Sequence, residues 1–389
     1  MTIFVQQLLG TIPGNFAALA ALALFCALIG DAALGLLLPG FRRKRLCVAL
    51  ILGGDLMALA ALCLNRWLPG ASPVEAFAAA AVPAVAAGFW LWRTGRLQSL
   101  FSIALHWRRD WLFWLPVTGC IVWYLGSALI PPFSWDEQTY QLAVPAAWLL
   151  RGNCAPTADL PYSAFPLMPQ FLLLWGMKWS GIGVAKLLVL GVFWILFRMT
   201  YDELCHLVPR LAAGILLLVF VVSPVNLFMI REFYAEGFLA VQLLAAVRLR
   251  RALAPVFSCR RLAVFGIFAG FAASVKLTGA GTAAAILLAA LPGDGFTRPL
   301  TFWRNPAHLR ALAAFAGAAM LAAMGFYLRP WLALGNPCYP FLAEIFGAPG
   351  DTVARYHFLM GDQYYGIGKL PALGLGWIFC AFYDDIYDG

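Results

Sequence analysis

Long apolar runs, each closed by charge, glycine or proline, set the tightest limit on what this chain can fold into. Residues 16–38, 46–64, 76–92 and 111–130 are the clearest of them. A helix of about twenty residues is what the hydrocarbon core of a bilayer requires. The sequence is 63% hydrophobic and 12% charged over 389 residues, roughly half the charged share of ordinary soluble domains. Its mean hydropathy is +0.82. No soluble globule can hide that much apolar surface. The expected fold class is therefore all-α, a polytopic transmembrane helical bundle with about a dozen crossings.

The net charge of +9 does not point to nucleic acid, because the basic residues sit in short clusters between apolar runs, where they set orientation. Arg42, Arg43, Lys44 and Arg45 separate the first two spans, and Arg93, Arg96, Arg108 and Arg109 the third from the fourth. Both loops are expected on the cytoplasmic side, which puts 131–165 outside. Further clusters at Arg248, Arg250, Arg251, Arg260 and Arg261, and at Arg298, Arg304 and Arg310, belong to the same inner face. The stretch 262–291 then has to be a hairpin turning outside near Lys276 and Gly279, and 311–328 carries the chain out again. Of three apolar segments at 166–176, 184–197 and 211–230, the first is short, opens with Pro166 and Pro169, and is read as re-entrant or interfacial. A short crossing at 234–247 follows. The first basic residue is Arg42, so no charged region precedes the first run, and the amino terminus reads as a retained anchor.

The nine cysteines form no CxxC pair. Cys154 and Cys338 fall in the two long outer loops, where a disulfide and two thiols are both allowed. The four histidines are scattered and are given no role.

This topology sends the unusual polar residues to one outer face. They are Asp136 and Glu137 in the first long loop, Arg231, Glu232 and Glu236, Lys276 in the hairpin turn, and Arg329 with Asn336. The stretch through Tyr140, Leu142, Trp148 and Leu149 is amphipathic and is expected along the membrane interface. Asp136 suits a general base, but Ser134 and Glu137 also have capping-box spacing, and Asp136 suits a helix start. Both readings stay open. Glu232 and Glu236, four apart, would share a helix face and bind a divalent metal or an acceptor, or else form an interfacial pair balanced by Arg231. Lys276 needs an anionic partner, a phosphate or a carboxylate, or snorkels to the interface. Asp31 and Asp55, inside the first two spans, are read either as ion-coupling groups or as hydrogen-bonding partners within the bundle.

The run Ser134-Trp135-Asp136-Glu137-Gln138-Thr139-Tyr140, followed by Trp148, Gly152 and the proline-bearing stretch 162–169, resembles the first external loop of the GT-C superfamily of membrane glycosyltransferases. That superfamily includes protein O-mannosyltransferases and the lipid A aminoarabinose transferase. Tyr234-Ala235-Glu236-Gly237, Ser274-Val275-Lys276-Leu277-Thr278-Gly279, and Arg329-Pro330-Trp331 continuing to Gly335-Asn336-Pro337-Cys338-Tyr339-Pro340-Phe341 are similar too. The resemblance divides the chain into three leading helices in 1–110 and a GT-C-like catalytic region in 111–389, with interfacial helices in the long external loop. Three spans before the acidic loop, and an end soon after an incomplete apolar segment, depart from the pattern and raise the expectation of a truncated form.

The resemblance implies transfer of a sugar from a polyprenyl-phosphate donor to a hydroxyl of a lipid, glycan or protein acceptor, at the outer face of the inner membrane and with inversion. Asp136 and Glu137 are the implied catalytic residues, with Tyr140, Glu232, Glu236, Lys276, Arg329 and Asn336 binding substrate. Lys276 and Arg329 would neutralise the departing phosphate. No cofactor is implied for certain, and a divalent metal stays an option. A transporter or flippase of a lipid-linked substrate and a non-catalytic membrane subunit are the alternatives.

Overall fold

The computed structural model describes residues 2–39, 41, 45–98, 111–128, 134, 136–156, 160–253, 257–292, 302, 304–339 and 342–346. Every regular element of more than four residues among them is helical. The helices are α1 (Thr2–Leu37), α2 (Leu46–Cys63), α3 (Pro73–Arg93), α4 (Trp111–Ala128), α5 (Ala143–Arg151), α6 (Met168–Ser180), α7 (Ile182–Leu204), α8 (Arg210–Val221), α9 (Pro224–Arg231), α10 (Glu236–Ala252), α11 (Cys259–Val275), α12 (Gly279–Ala290), α13 (Pro306–Leu334) and the single turn α14 (Ala343–Phe346). A π-helical turn, Glu137–Gln141, precedes α5.

Among the described residues five helices are long and apolar enough to cross a membrane: Pro13–Leu37 of α1, α2, α3, α7 and α13. On α3 and α13 only 22% of the most apolar window is buried inside the protein, so large side chains such as Val82, Phe89, Leu321 and Leu332 face outward. An apolar exterior of this kind suits lipid, not water.

Local chemistry sets the ends. Ser72 and Glu75 form a capping box ahead of α3, with Pro73 at its first position. Asn305 caps α13, which ends at Gly335 with φ of +74°. The expected span 211–230 is instead two helices bent by 56°. Pro224 has no N–H to continue the ladder, and Ser223, extended, accepts the Asn226 N–H to start α9. The expected hairpin at 262–291 is present, with α11 and α12 joined through Lys276, Leu277 and Thr278. Helix α6 has 13 residues, about 20 Å, well short of the ~30 Å hydrocarbon core. Ten of its residues, Met168 to Met177, are buried, so it sits inside the protein and not against lipid.

Small residues let the helices touch backbone to backbone. A Cβ on Gly30 would lie 1.9 Å from the Ala49 carbonyl oxygen, and one on Gly53 1.8 Å from that of Cys26, which locks α1 to α2. Gly266 and Gly270 meet the carbonyls of Phe315 and Ala319 across α11 and α13 in the same way.

The bundle has two chemically distinct ends. At one, Arg45 pairs with Asp31, Arg96 donates to the carbonyls of Pro39 and Phe41, Arg248 and Arg198 grip Asp202, and Arg251 pairs with Glu203. This end gathers the described members of the basic clusters; Arg42, Arg43, Lys44, Arg108, Arg109 and Arg298 lie outside the described residues, as do Pro340, Phe341 and the whole of 347–389. Asp31 is thus a bundle ion pair. Asp55 accepts from Gln242 Nε2 at 2.6 Å in the interior. Both acids take up the bundle-bonding role.

Candidate active site

The other end gathers the acids Asp136, Glu137, Glu232 and Glu236. Its centre is Asp136, at the start of the π-helical turn. Tyr140, one turn on, donates its hydroxyl to Asp136 Oδ2 at 3.1 Å, and Tyr234 donates to the same carboxylate. The Tyr140 ring stacks on Tyr162 at 5.1 Å between centroids. Glu236 and Lys276 are close enough to act on Asp136 electrostatically, and they form an ion pair with each other. Sequence positions spread from 136 to 276 therefore meet at one place.

Burial raises the Asp136 carboxyl above the usual carboxylate range; the tyrosine hydrogen bonds and Lys276 pull it down, while Glu236 adds to the rise. Glu232 is raised too, first by burial, with Arg231 opposing and Glu137 and Asp136 reinforcing. Tyr140 and Tyr234 are held far up in their neutral, donating form by burial and by the carboxylates around them.

Glu232 and Glu236 do not share a helix face. Glu232 ends α9, and Phe233 adopts φ of +56° before α10 begins at Glu236. A left-handed conformation at a bulky residue costs about 1–3 kcal/mol. It turns the chain between the two acids and delivers Tyr234 to Asp136. Glu236, instead of pairing with Arg231, holds Lys276, and both side chains are about one-third exposed.

Glu137 takes a different place from Asp136. Its carboxylate is fully buried and pairs with Lys186 of α7 at 3.1 Å. The expected capping box is half formed: Ser134 Oγ accepts the Glu137 N–H at 3.3 Å, while the Glu137 side chain goes to Lys186. Sequence reasoning passed over Lys186. The signal was there, a solitary ammonium in the apolar run 184–197.

Arg329 donates to three backbone carbonyls: Cys154 at 2.8 Å, Phe165 at 2.9 Å, and Ser163. Its guanidinium lies 5.2 Å from the Trp148 ring and 5.3 Å from the Phe171 ring. Among the described residues none of its hydrogen bonds goes to an acid, so the charge is not cancelled. Arg329 pins the segment carrying Tyr162, which backs Tyr140. Asn336 is buried, and its side-chain oxygen accepts the Cys338 N–H in the turn after α13. The stretch expected along the interface packs inward: Leu142, Val144 and Trp148 are buried, with Trp148 on Phe171. Cys154 and Cys338 are both free thiols.

Among the described residues no three His, Cys, Asp or Glu side chains are placed to hold one metal ion. Comparisons with protein-family models, with curated proteins and with solved structures found no match to this chain.

Proposed function

We propose that this chain is a membrane glycosyltransferase of the GT-C type, moving a sugar from a polyprenyl-phosphate donor to an acceptor hydroxyl at the acidic end of the bundle. One observation carries the reading: a carboxylate, Asp136, is set between two tyrosine hydroxyls and beside a cation, Lys276, where apolar helices end. A general base and a charge for a leaving phosphate are the two things such a transfer needs.

In the step, the acceptor O–H gives its proton to Asp136 while its oxygen forms a bond to the anomeric carbon. The bond from that carbon to the phosphate oxygen breaks on the opposite face, and the electron pair leaves with the polyprenyl phosphate. Inversion follows. Lys276, handed over by Glu236, neutralises the phosphate. Arg329 adds uncancelled positive charge behind the loop it pins. Glu232 and Tyr234 orient the acceptor, and Glu137, paired with Lys186, fixes the turn that presents Asp136. The donor's isoprenoid tail runs along the lipid-facing helices, and the acceptor is a lipid, glycan or protein at the outer face of the cytoplasmic membrane.

The test is to reconstitute the full chain in vesicles of native membrane lipids with radiolabelled polyprenyl-phosphate sugars. Release of unglycosylated carrier together with label in an acceptor is the expected result. Movement of intact donor across the bilayer without cleavage would replace this reading with that of a flippase.

A further inference from the structure

The arginine-rich end of the bundle carries an indentation of its own. A cavity of about 200 Å³ opens between the end of α1 and the start of α11, lined by the apolar Leu37, Leu38, Phe41 and Leu253 together with Ser258, Arg260 and Arg261. Arg260 is held in place by donating to the carbonyls of Leu36 and Leu37 (Nε to Leu37 at 2.6 Å), which satisfies the open carbonyls where α1 ends. Among the described residues that line the cavity there is no carboxylate. Helix α11 begins at Cys259, so the partial positive charge of its N-terminus adds to the arginines.

We propose that this cavity binds the phosphate of an anionic phospholipid from the leaflet at that end of the bundle. Arg260 and Arg261 meet the phosphate charge, and the Ser258 hydroxyl donates to one of its oxygens. The apolar wall receives the glycerol and the first acyl carbons. A soluble phosphate would leave the half-buried Leu37 and Leu253 facing water, whereas a lipid covers them, and basic pockets between helices at a membrane face are suited to such headgroups. The proposal does not depend on the transfer reaction.

The experiment is to purify the full chain, incorporate it into nanodiscs of phosphatidylcholine containing a minority of phosphatidylglycerol, and measure lipid retained by native mass spectrometry. Wild type should keep phosphatidylglycerol over phosphatidylcholine. Arg261→Gln should weaken that preference about fivefold, the effect of one basic residue near a membrane surface. Because Arg260 also caps the carbonyls at the end of α1, Ser258→Glu is the second variant: it places a negative charge in the cavity at a helix start, where the fold tolerates it. It should abolish the preference with the melting temperature in pure phosphatidylcholine unchanged. Retention of phosphatidylglycerol undiminished in Ser258→Glu overturns the proposal, and so does displacement of the lipid by millimolar inorganic phosphate, which would assign the cavity to a soluble anion.

Discussion

Tyr140 gives its hydroxyl hydrogen to Asp136 from one turn further along the same segment, at 3.1 Å. A donor aimed at a carboxylate favours its charged form, so this bond opposes the burial that raises Asp136. A base must be ionised to work, and activity should therefore climb with pH along an acid limb set by Asp136. Tyr140→Phe removes a donor, raises the Asp136 pKa further, and should move that limb to higher pH. An unmoved or lowered limb in the pH–rate profile would separate Tyr140 from the base.

Asp136→Asn should reduce transfer by at least about 100-fold while the protein stays folded. The sign for stability follows from the raised pKa. The folded state holds the Asp136 proton more tightly than the unfolded one, so ionisation weakens the fold as pH rises from the unfolded pKa through the folded one. Asn still accepts from both tyrosines and carries no charge. Its melting temperature at neutral pH should equal or exceed that of wild type, and near-normal turnover would remove Asp136 from the chemistry.

The buried Glu137–Lys186 pair behaves differently. Removing one partner strands the other charge, which costs about 3–5 kcal/mol. Glu137→Gln and Lys186→Met should each lower the unfolding temperature markedly, and the double substitution should recover most of the loss. Additive losses in the double-mutant cycle would show that the two side chains are not coupled.

Burial pushes the Cys154 thiol up to about 12, and the side chain is 1% exposed, so it should react slowly with maleimide. Arg329→Lys keeps the charge but cannot fork across three carbonyls. Release of the segment should speed Cys154 labelling about tenfold or more, read by peptide mass spectrometry, with loss of turnover alongside. Unchanged labelling would mean that Arg329 does not hold the segment.

Gly270→Ala should destabilise by about 1–3 kcal/mol, because its Cβ would lie 2.2 Å from the Ala319 carbonyl oxygen. Forcing α11 from α13 also shifts Lys276 relative to Arg329, so transfer should fall with stability. Thermal unfolding in detergent beside a turnover assay checks both.

The helices were readable because run length and flanking charge report directly on span and end. That is why α2, α3 and the hairpin of α11 and α12 fall within a few residues of expectation. The convergence of Asp136, Glu236 and Lys276 was readable for the same reason, since it follows from counting crossings. What the sequence hid was backbone sign and partner. The four-residue spacing of Glu232 and Glu236 implies a shared helix face only if the chain stays helical, and Phe233 breaks that condition with a conformation its residue type does not advertise. The bend at Ser223 and Pro224 carried a local signal that an unbroken apolar run outweighed. Glu137 and Lys186 each look like a solitary charge, and only tertiary packing joins them.

Arg329 grasps main-chain oxygens at 154, 163 and 165, not side chains. Every amino acid supplies that oxygen, so those three positions can drift in sequence without loosening the grip, whereas position 329 has no substitute with the same fork. The segment behind Tyr140 is thus tethered by a clasp whose whole sequence requirement rests on a single codon.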